Sequence, residues 1–209
     1  SYALNDDYHV TIKSMLCELA DELKKHNPEL RYRAFVDSAP VAEKSLAVRA
    51  GLGWIGRQSL VVNPRLGSMI HLGELVIDDV VDEYDRPMMG VGCGSCRRCV
   101  DACPNGAILD NRTIDTRRCI SCRTIEREGC TDDITLDGWI FGCDACQSVC
   151  PFNKQAPLHT NPRFDPRIDP YELSAERWLR MTDDEFSEMA ATTPMTRSGL
   201  ERIRGNIKK

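Results

Sequence analysis

Ten of the eleven cysteines in this 209-residue chain fall between Cys93 and Cys150. They form two motifs, Cys93-x2-Cys96-x2-Cys99-x3-Cys103-Pro104 and Cys143-x2-Cys146-x3-Cys150-Pro151. Thiolates at two-residue intervals on a short turning loop point inward together, as the ligands of an iron–sulfur cubane must. The fourth cysteine, three residues on, has turned away and reaches a second cluster. The proline after it has no N–H to donate and helps end the loop. The second motif lacks one loop cysteine, and Cys119 can supply it from the connecting segment. Cluster one then takes Cys93, Cys96, Cys99 and Cys150. Cluster two takes Cys103, Cys119, Cys143 and Cys146. Cys17, Cys122 and Cys130 are left over. Cys122 competes with Cys119, because Cys119-x2-Cys122 is itself a pair. Cys17 is expected to be a buried small hydrophobe, and Cys130 has no assigned role. Zinc is the alternative for paired cysteines, but a zinc ribbon does not need a four-cysteine run ending in Cys-Pro.

Composition agrees with metal or redox chemistry rather than a disulfide scaffold. A disulfide framework is typically short and secreted with an even cysteine count, whereas this chain is long and its count is odd. The hydrophobic fraction of 42% and charged fraction of 28% are those of a folded globular protein. No apolar run reaches the length of a membrane span, and Ser1 to Asp7 has neither a basic nor an apolar signal region.

Elements must position these residues. Tyr8, Ile12, Met15, Leu16, Leu19 and Leu23 recur at three- and four-residue spacing, which predicts a helix over 7–25 capped by Asp6 or Asp7 and ended by His26-Asn27-Pro28. Strands are expected over 31–36, 60–62 and 69–77, and a helix over 41–50. The run Gly51-Leu52-Gly53-Trp54-Ile55-Gly56 reads as a turn-rich stretch where backbone can approach a ligand. This β-α-β rhythm suggests part of an α/β or α+β sheet domain. An acidic hinge from Asp78 to Asp85 leads into the cysteine region. Four prolines between 157 and 170 predict an irregular wrap, followed by helices over 171–180 and 183–190. The expected fold class is α+β: a partial cobalamin-binding α/β domain over 1–87, a bacterial two-cluster ferredoxin-like domain over 88–156, and a Pro-rich wrap with C-terminal helices over 157–209.

The cobalamin part of that expectation comes from a resemblance. Asp7-Tyr8-His9, Val36-Asp37-Ser38-Ala39-Pro40-Val41, Arg49 through Gly56, Gly67-Ser68 and Leu72-Gly73-Glu74 stand in this order before the cysteines. Cys93 to Pro104, Arg118-Cys119-Ile120-Ser121 and Gly142 to Pro151 follow. In these blocks the chain resembles the cobalamin-dependent tRNA epoxyqueuosine reductases along essentially its whole length. The resemblance implies reduction of the epoxide of epoxyqueuosine to queuosine at the wobble position of a tRNA. Electrons would pass through both clusters to the cobalt. Asp37 would protonate the departing oxygen, and a carboxyl shielded by an apolar corrin keeps the raised pKa that such an acid needs. Read without the resemblance, Asp37 is an Asx-turn or cap residue before Pro40. The resemblance also implies cobalamin contacts at Asp37, Gly56, Gln58, Val61, Leu72, Ser121 and Asp144; read as local structure alone, Val61 and Leu72 are strand core.

The same resemblance implies a cytoplasmic monomer with tRNA as partner, an electron donor of unknown identity, no membrane, and a missing N-terminal section. Charge gives tRNA little support: the net charge is −5, and the basic groups at Arg112, Arg117, Arg118, Arg123 and Arg127 and in the tail from Arg197 to Lys209 read equally well as solvated faces. Two alternatives remain: a ferredoxin-like electron-transfer protein without substrate chemistry, and another cobalamin/iron–sulfur reductase such as a relative of the reductive dehalogenases.

Overall fold

A computed structural model describes residues 2–126 and 134–208. Arg127 and Cys130 lie outside the described residues. A short 3-10 turn, Tyr2–Leu4, leads to helix α1, Tyr8–Lys24. Asp7 caps α1 by accepting the His9 N–H at 3.0 Å. The helix ends before Asn27-Pro28, where the chain turns.

Strand β1, Tyr32–Phe35, precedes helix α2, Glu43–Arg49. Next come β2, Trp54–Ile55, β3, Val61–Val62, and β4, Glu74–Ile77. The pairing differs from the β-α-β expectation. β1 pairs antiparallel with β4, Tyr32 opposite Ile77 and Phe35 opposite Glu74. β2 and β3 form a separate antiparallel hairpin. The chain therefore returns to β1 from the far end instead of through a parallel crossover. Residues 69–73 lie in no strand, so the third expected strand is shorter than its apolar pattern suggested. The hairpin turn carries a left-handed Ser59, φ 66°.

The cysteine region has short helices at α3, Arg98–Asp101, α4, Ala145–Ser148, and α5, Pro151–Gln155, with Pro151 in the first turn of α5. A π-helical turn, Cys122–Glu126, lies between them. α3 packs against α4. The wrap after α5 contains 3-10 turns at Pro162–Phe164 and Pro170–Glu172. Helices α6, Ala175–Arg180, and α7, Asp183–Ala190, follow; α7 starts with a Thr182/Glu185 capping box. Tyr171 lies in the preceding turn rather than in α6. Helix α8, Gly199–Ile207, was not anticipated from its basic sequence; it buries Leu200 and Ile203.

The largest apolar cluster gathers Trp178, Met181, Phe186, Ala190, Met195, Leu200 and Ile203 from the C-terminal helices, with Ala3, Ile125 and Phe141. The first residues of the chain thus lie on the C-terminal helices and beside the cysteine region. Three polar ties add to this. Ser198 Oγ donates to Thr124 O at 2.8 Å, Arg202 Nη1 to Ile125 O at 3.0 Å, and Arg167 binds the Asp6 carboxylate at 2.7 Å. Among the described residues no helix is long and apolar enough to cross a membrane.

Candidate functional site

The thiols form two groups along the chain, one per motif. Cys93 and Cys96 close a turn through the Cys96 N–H and Cys93 O. Cys99 follows on α3 and is buried. Burial, then the Cys93 and Cys96 thiols, push the Cys99 thiol up. In the other group, burial pushes Cys146 up to about 12, with Cys143, Cys99, Cys119 and Cys103 adding to it. Burial likewise raises Cys143, beside Cys119 and Cys103. Crowded, half-buried thiols resist ionising until a cation compensates them, and iron supplies that compensation. The Ala107 N–H already points at Cys103 Sγ, 3.2 Å away. Cys150 is buried at the head of α5, just after α4.

The donor chemistry therefore fits iron–sulfur ligation, and Cys119 acts electrostatically on both Cys143 and Cys146. Among the described residues, no three Cys, His, Asp or Glu side chains are gathered to hold a single metal ion. In a cubane each thiolate binds a different iron, so its ligands stand apart around the rim. Cys17 departs from expectation: it is half-buried, not buried, and its thiol hydrogen-bonds with the Tyr32 hydroxyl, raising the Tyr32 pKa. The sequence offered no cue to this, since Cys17 and Tyr32 lie on separate elements.

Asp37, two residues past β1, takes a left-handed conformation, φ 53°, which among residues other than glycine is best tolerated by Asn and Asp. The Tyr8 hydroxyl donates to Asp37 Oδ2 at 2.7 Å. His9 Nε2 is 3.8 Å from the same oxygen, and Asp7 Oδ1 is 2.6 Å from His9 Nδ1. Arg197, from the C-terminal turn, stands 2.9 Å from the His9 ring. Burial, then the Asp37 hydrogen bond, hold the Tyr8 phenol well above its ordinary range, so Tyr8 is a donor here. The Asp37 side chain is 59% exposed. The shielding expected around it is therefore not supplied by the described residues. Behind the loop, the Asp37 N–H donates to the Glu43 carboxylate.

An aromatic wall flanks Asp37. Tyr8 stacks on His71 at 4.3 Å, and Tyr2 meets Tyr8, His71 and Phe141 edge-on at 5.6 to 6.0 Å. Burial pushes the Tyr2 phenol up to about 12, and Glu126, Asp144 and Asp37 add to the rise while Arg197 opposes it. Tyr2 thus feels the charge of both Asp37 and Asp144, the second of which flanks the ligand candidate Cys143. No site role was expected for Tyr2, Tyr8, His9, Glu43, His71, Glu74 or Arg197. The Asp7-Tyr8-His9 and Leu72-Gly73-Glu74 blocks were the available signal for three of them.

The hairpin approaches the cysteines from the other side. Gln58 is 4% exposed, and its Oε1 lies 3.9 Å from Cys99 Sγ. A Cβ on Gly56 would come within 2.3 Å of Gln58 Oε1, so glycine is needed for this close turn. Gln58 Nε2, Trp54 Nε1 and Arg57 Nε are buried without hydrogen-bond partners among the described residues. Unsatisfied buried donors beside an electron-transfer thiol fit an acceptor-rich cofactor. Val61 is 3% exposed, as strand core would be, and Leu72 is half-buried outside any strand. Ser121 and Asp144 are half-buried beside Cys119 and Cys143. The hairpin region is docked through Asn153, whose Nδ2 donates to Gln147 O at 2.8 Å and to Ser68 Oγ at 3.0 Å, and whose Oδ1 accepts the Ser68 N–H. Gly67, φ 73°, lets Asn153 approach; a Cβ there would overlap Asn153 Oδ1.

Residues 92–153 match the family model described as 4Fe-4S double cluster binding domain, and residues 1–38 match epoxyqueuosine reductase QueG, DUF1730. An epoxyqueuosine reductase of Cyclobacterium marinum is 43% identical over 209 residues, covering 99% of this chain and 66% of its own. That of Cellulophaga algicola is 38% identical over 213 residues, covering 99% and 68%. Among solved structures, an epoxyqueuosine reductase with an epoxyqueuosine-modified tRNA-Tyr stem loop superposes with TM-score 0.85 at 29% identity. The Bacillus subtilis enzyme, solved with its aspartate catalytic loop swung out of the active site, superposes with TM-score 0.87 at 30% identity. Each covers 98% of this chain and 54% of the solved one. The chain thus spans about two thirds of those two curated relatives and about half of the solved chains.

Proposed function

The chain belongs to the epoxyqueuosine reductase family, and from that premise we propose that it reduces epoxyqueuosine to queuosine at the wobble position of a tRNA in the cytoplasm. The observation that carries this reading is one assembly. Asp37 is exposed, held by the Tyr8 hydroxyl at 2.7 Å and beside His9, in a chain whose residues 92–153 match a double-cluster binding domain.

The balance of the reaction sets what the protein must do. Converting an epoxide to an alkene consumes two electrons and two protons and releases water. The epoxide oxygen is a poor leaving group as an alkoxide, so an acid must protonate it as its carbon–oxygen bonds break. Asp37 is the acid in this proposal. Tyr8 orients the Asp37 carboxyl, and His9, held by Asp7, stands ready to return a proton to it from solvent. Cys93, Cys96, Cys99 and Cys150 hold one cluster; Cys103, Cys119, Cys143 and Cys146 hold the other. Cys146 feels the charge of Cys99, and electrons from an outside donor would pass between the two clusters. Cobalamin, when bound, supplies a strongly reducing cobalt. Gln58, Ser121 and Asp144, with Gly56, Val61 and Leu72, would hold it. The Asp37 loop of this chain, residues 37–42, is the counterpart in this proposal of the loop that swings out in the Bacillus subtilis structure.

The test is to reconstitute iron and sulfide anaerobically, add cobalamin and a reductant, and follow epoxyqueuosine in tRNA by nucleoside mass spectrometry. Conversion by the wild type and its loss in Cys146→Ser supports the proposal. Electron transfer to a generic acceptor without conversion would favour a simple ferredoxin-like carrier.

A further inference from the structure

The turn between β2 and β3 brings one amide to a cysteine of the first motif. Gln58 is 4% exposed, and its Oε1 accepts the Cys99 S–H at 3.9 Å. Cys99 is itself buried, on α3. The other end of the same amide, Gln58 Nε2, is buried without a hydrogen-bond partner among the described residues. A buried N–H left unpaired costs free energy, and native structures give such groups an acceptor.

The hairpin is tied to the ligand loop in both directions. Arg57 Nη2 donates to Gly94 O at 3.0 Å, between Cys93 and Cys96. Arg112 Nη1, from the cysteine region, donates to Ile55 O at 3.1 Å, at the end of β2. Gln58 is thus anchored near Cys99 by its own backbone, independently of the S–H contact.

As a cluster ligand Cys99 is a thiolate, with no proton to donate and lone pairs to offer. The carbonyl end of Gln58 would then face negative sulfur while its N–H end stayed unpaired. A half-turn of the terminal amide exchanges two ends of nearly the same shape and removes both faults. We propose that in the cluster-loaded protein Gln58 turns its amide to donate the Nε2 N–H to Cys99 Sγ, and that this bond raises the reduction potential of the cluster held by Cys93, Cys96, Cys99 and Cys150. Gln58 is a positioning residue here, acting on electron transfer only through Cys99. The cobalamin contact proposed for it is then made by its oxygen. The inference rests on the iron–sulfur part of the proposed function and not on the tRNA part.

The sign follows from charge. Reduction adds one electron to the cluster, and part of that charge falls on the cysteine sulfurs. A donor to sulfur is charge-assisted, so it stabilises the reduced state more than the oxidised one. Removing the donor lowers the potential.

An anaerobic redox titration of the reconstituted protein, read by EPR, tests this without any turnover. Gln58→Met and Gln58→Leu remove the donor and leave an apolar side chain of similar size. At wild-type iron content, each is expected to shift the reduction of one cluster about tenfold toward the oxidised form, about 59 mV lower for one electron. The midpoint of the other cluster should not move. A second measurement needs no substitution at Gln58: pulsed EPR of the reduced, cluster-loaded protein carrying 15N in its glutamine side-chain amides. The chain has three glutamines. Gln155 is exposed, and Gln147, which donates to Asp144 at 3.0 Å, is removed by Gln147→Glu. The labelled Gln147→Glu protein should keep a 15N coupling to a reduced cluster. Wild-type midpoints in the iron-loaded Gln58 variants, or no 15N coupling in the labelled Gln147→Glu protein, overturns the role of Gln58 and leaves the cluster reading standing. A wild type that binds no iron overturns the cluster reading, and the role of Gln58 with it.

Discussion

Tyr8→Phe is the cleanest probe of how Asp37 is held. The substitution removes only the hydroxyl that donates to Asp37 at 2.7 Å. It leaves the ring that stacks on His71 at 4.3 Å and meets Tyr2 at 5.6 Å. A hydrogen bond to a charged acceptor contributes about 1.5–3 kcal/mol when shielded. The Asp37 side chain is 59% exposed, so water takes over part of that role and about 1 kcal/mol is left. That corresponds to a fall of roughly fivefold in single-turnover rate. Asp37→Ala, which removes the acid itself, should cost about 100-fold or more. Because Tyr8 acts through Asp37, the double variant should be no slower than Asp37→Ala alone. The assay is single-turnover conversion of epoxyqueuosine-tRNA by pre-reduced protein. A further fivefold loss from Tyr8→Phe in the Asp37→Ala background would refute the reasoning, since it would give Tyr8 a role independent of Asp37.

Cys119→Ser should lower bound iron by about half, the content of one of two four-iron clusters, while Cys122→Ser should leave it unchanged; iron analysis with EPR of the reduced protein decides which is the ligand. Asn153→Ala removes the bonds to Ser68 and Gln147 and should cost about 2–3 kcal/mol by leaving buried partners unpaired, seen as a lower midpoint in thermal unfolding with iron content intact. Gly56→Ala should displace Gln58, since the added Cβ would meet its Oε1, and should shift the EPR signal of the cluster bound by Cys99 while sparing the other.

Local signals in the sequence carried α1, because its apolar spacing and Asp7 cap lie within one helix. They also carried the thiols, whose spacing brings Cys93, Cys96 and Cys99 together within one turn and helix. Cys119 joining Cys143 and Cys146 was reached by counting ligands, and its charge is felt at both of their thiols. What the sequence hid depends on distant pairing. β1 meets β4 across some forty residues, and nothing in either strand sets an antiparallel direction. Helix α8 reads as a basic tail until Leu200 and Ile203 are seen to fill the C-terminal core. The Asp37 surroundings are the clearest case. Tyr2, His71 and Arg197 come from both ends and the middle of the chain, and Glu43 looks like an ordinary surface acid until it is seen to accept the Asp37 N–H. The Asp37 carboxyl was legible only through the resemblance, and the exposed position it takes was not legible at all.

The central claim joins one acid to one reduction. Its most direct test is the nucleoside composition of tRNA after incubation with reduced, cluster-loaded and cobalamin-supplemented wild-type, Asp37→Asn and Asp37→Ala proteins of equal iron content. The account predicts conversion of epoxyqueuosine to queuosine by the wild type and, in both variants, a rate lower by about 100-fold or more. Wild-type turnover by Asp37→Ala would contradict it.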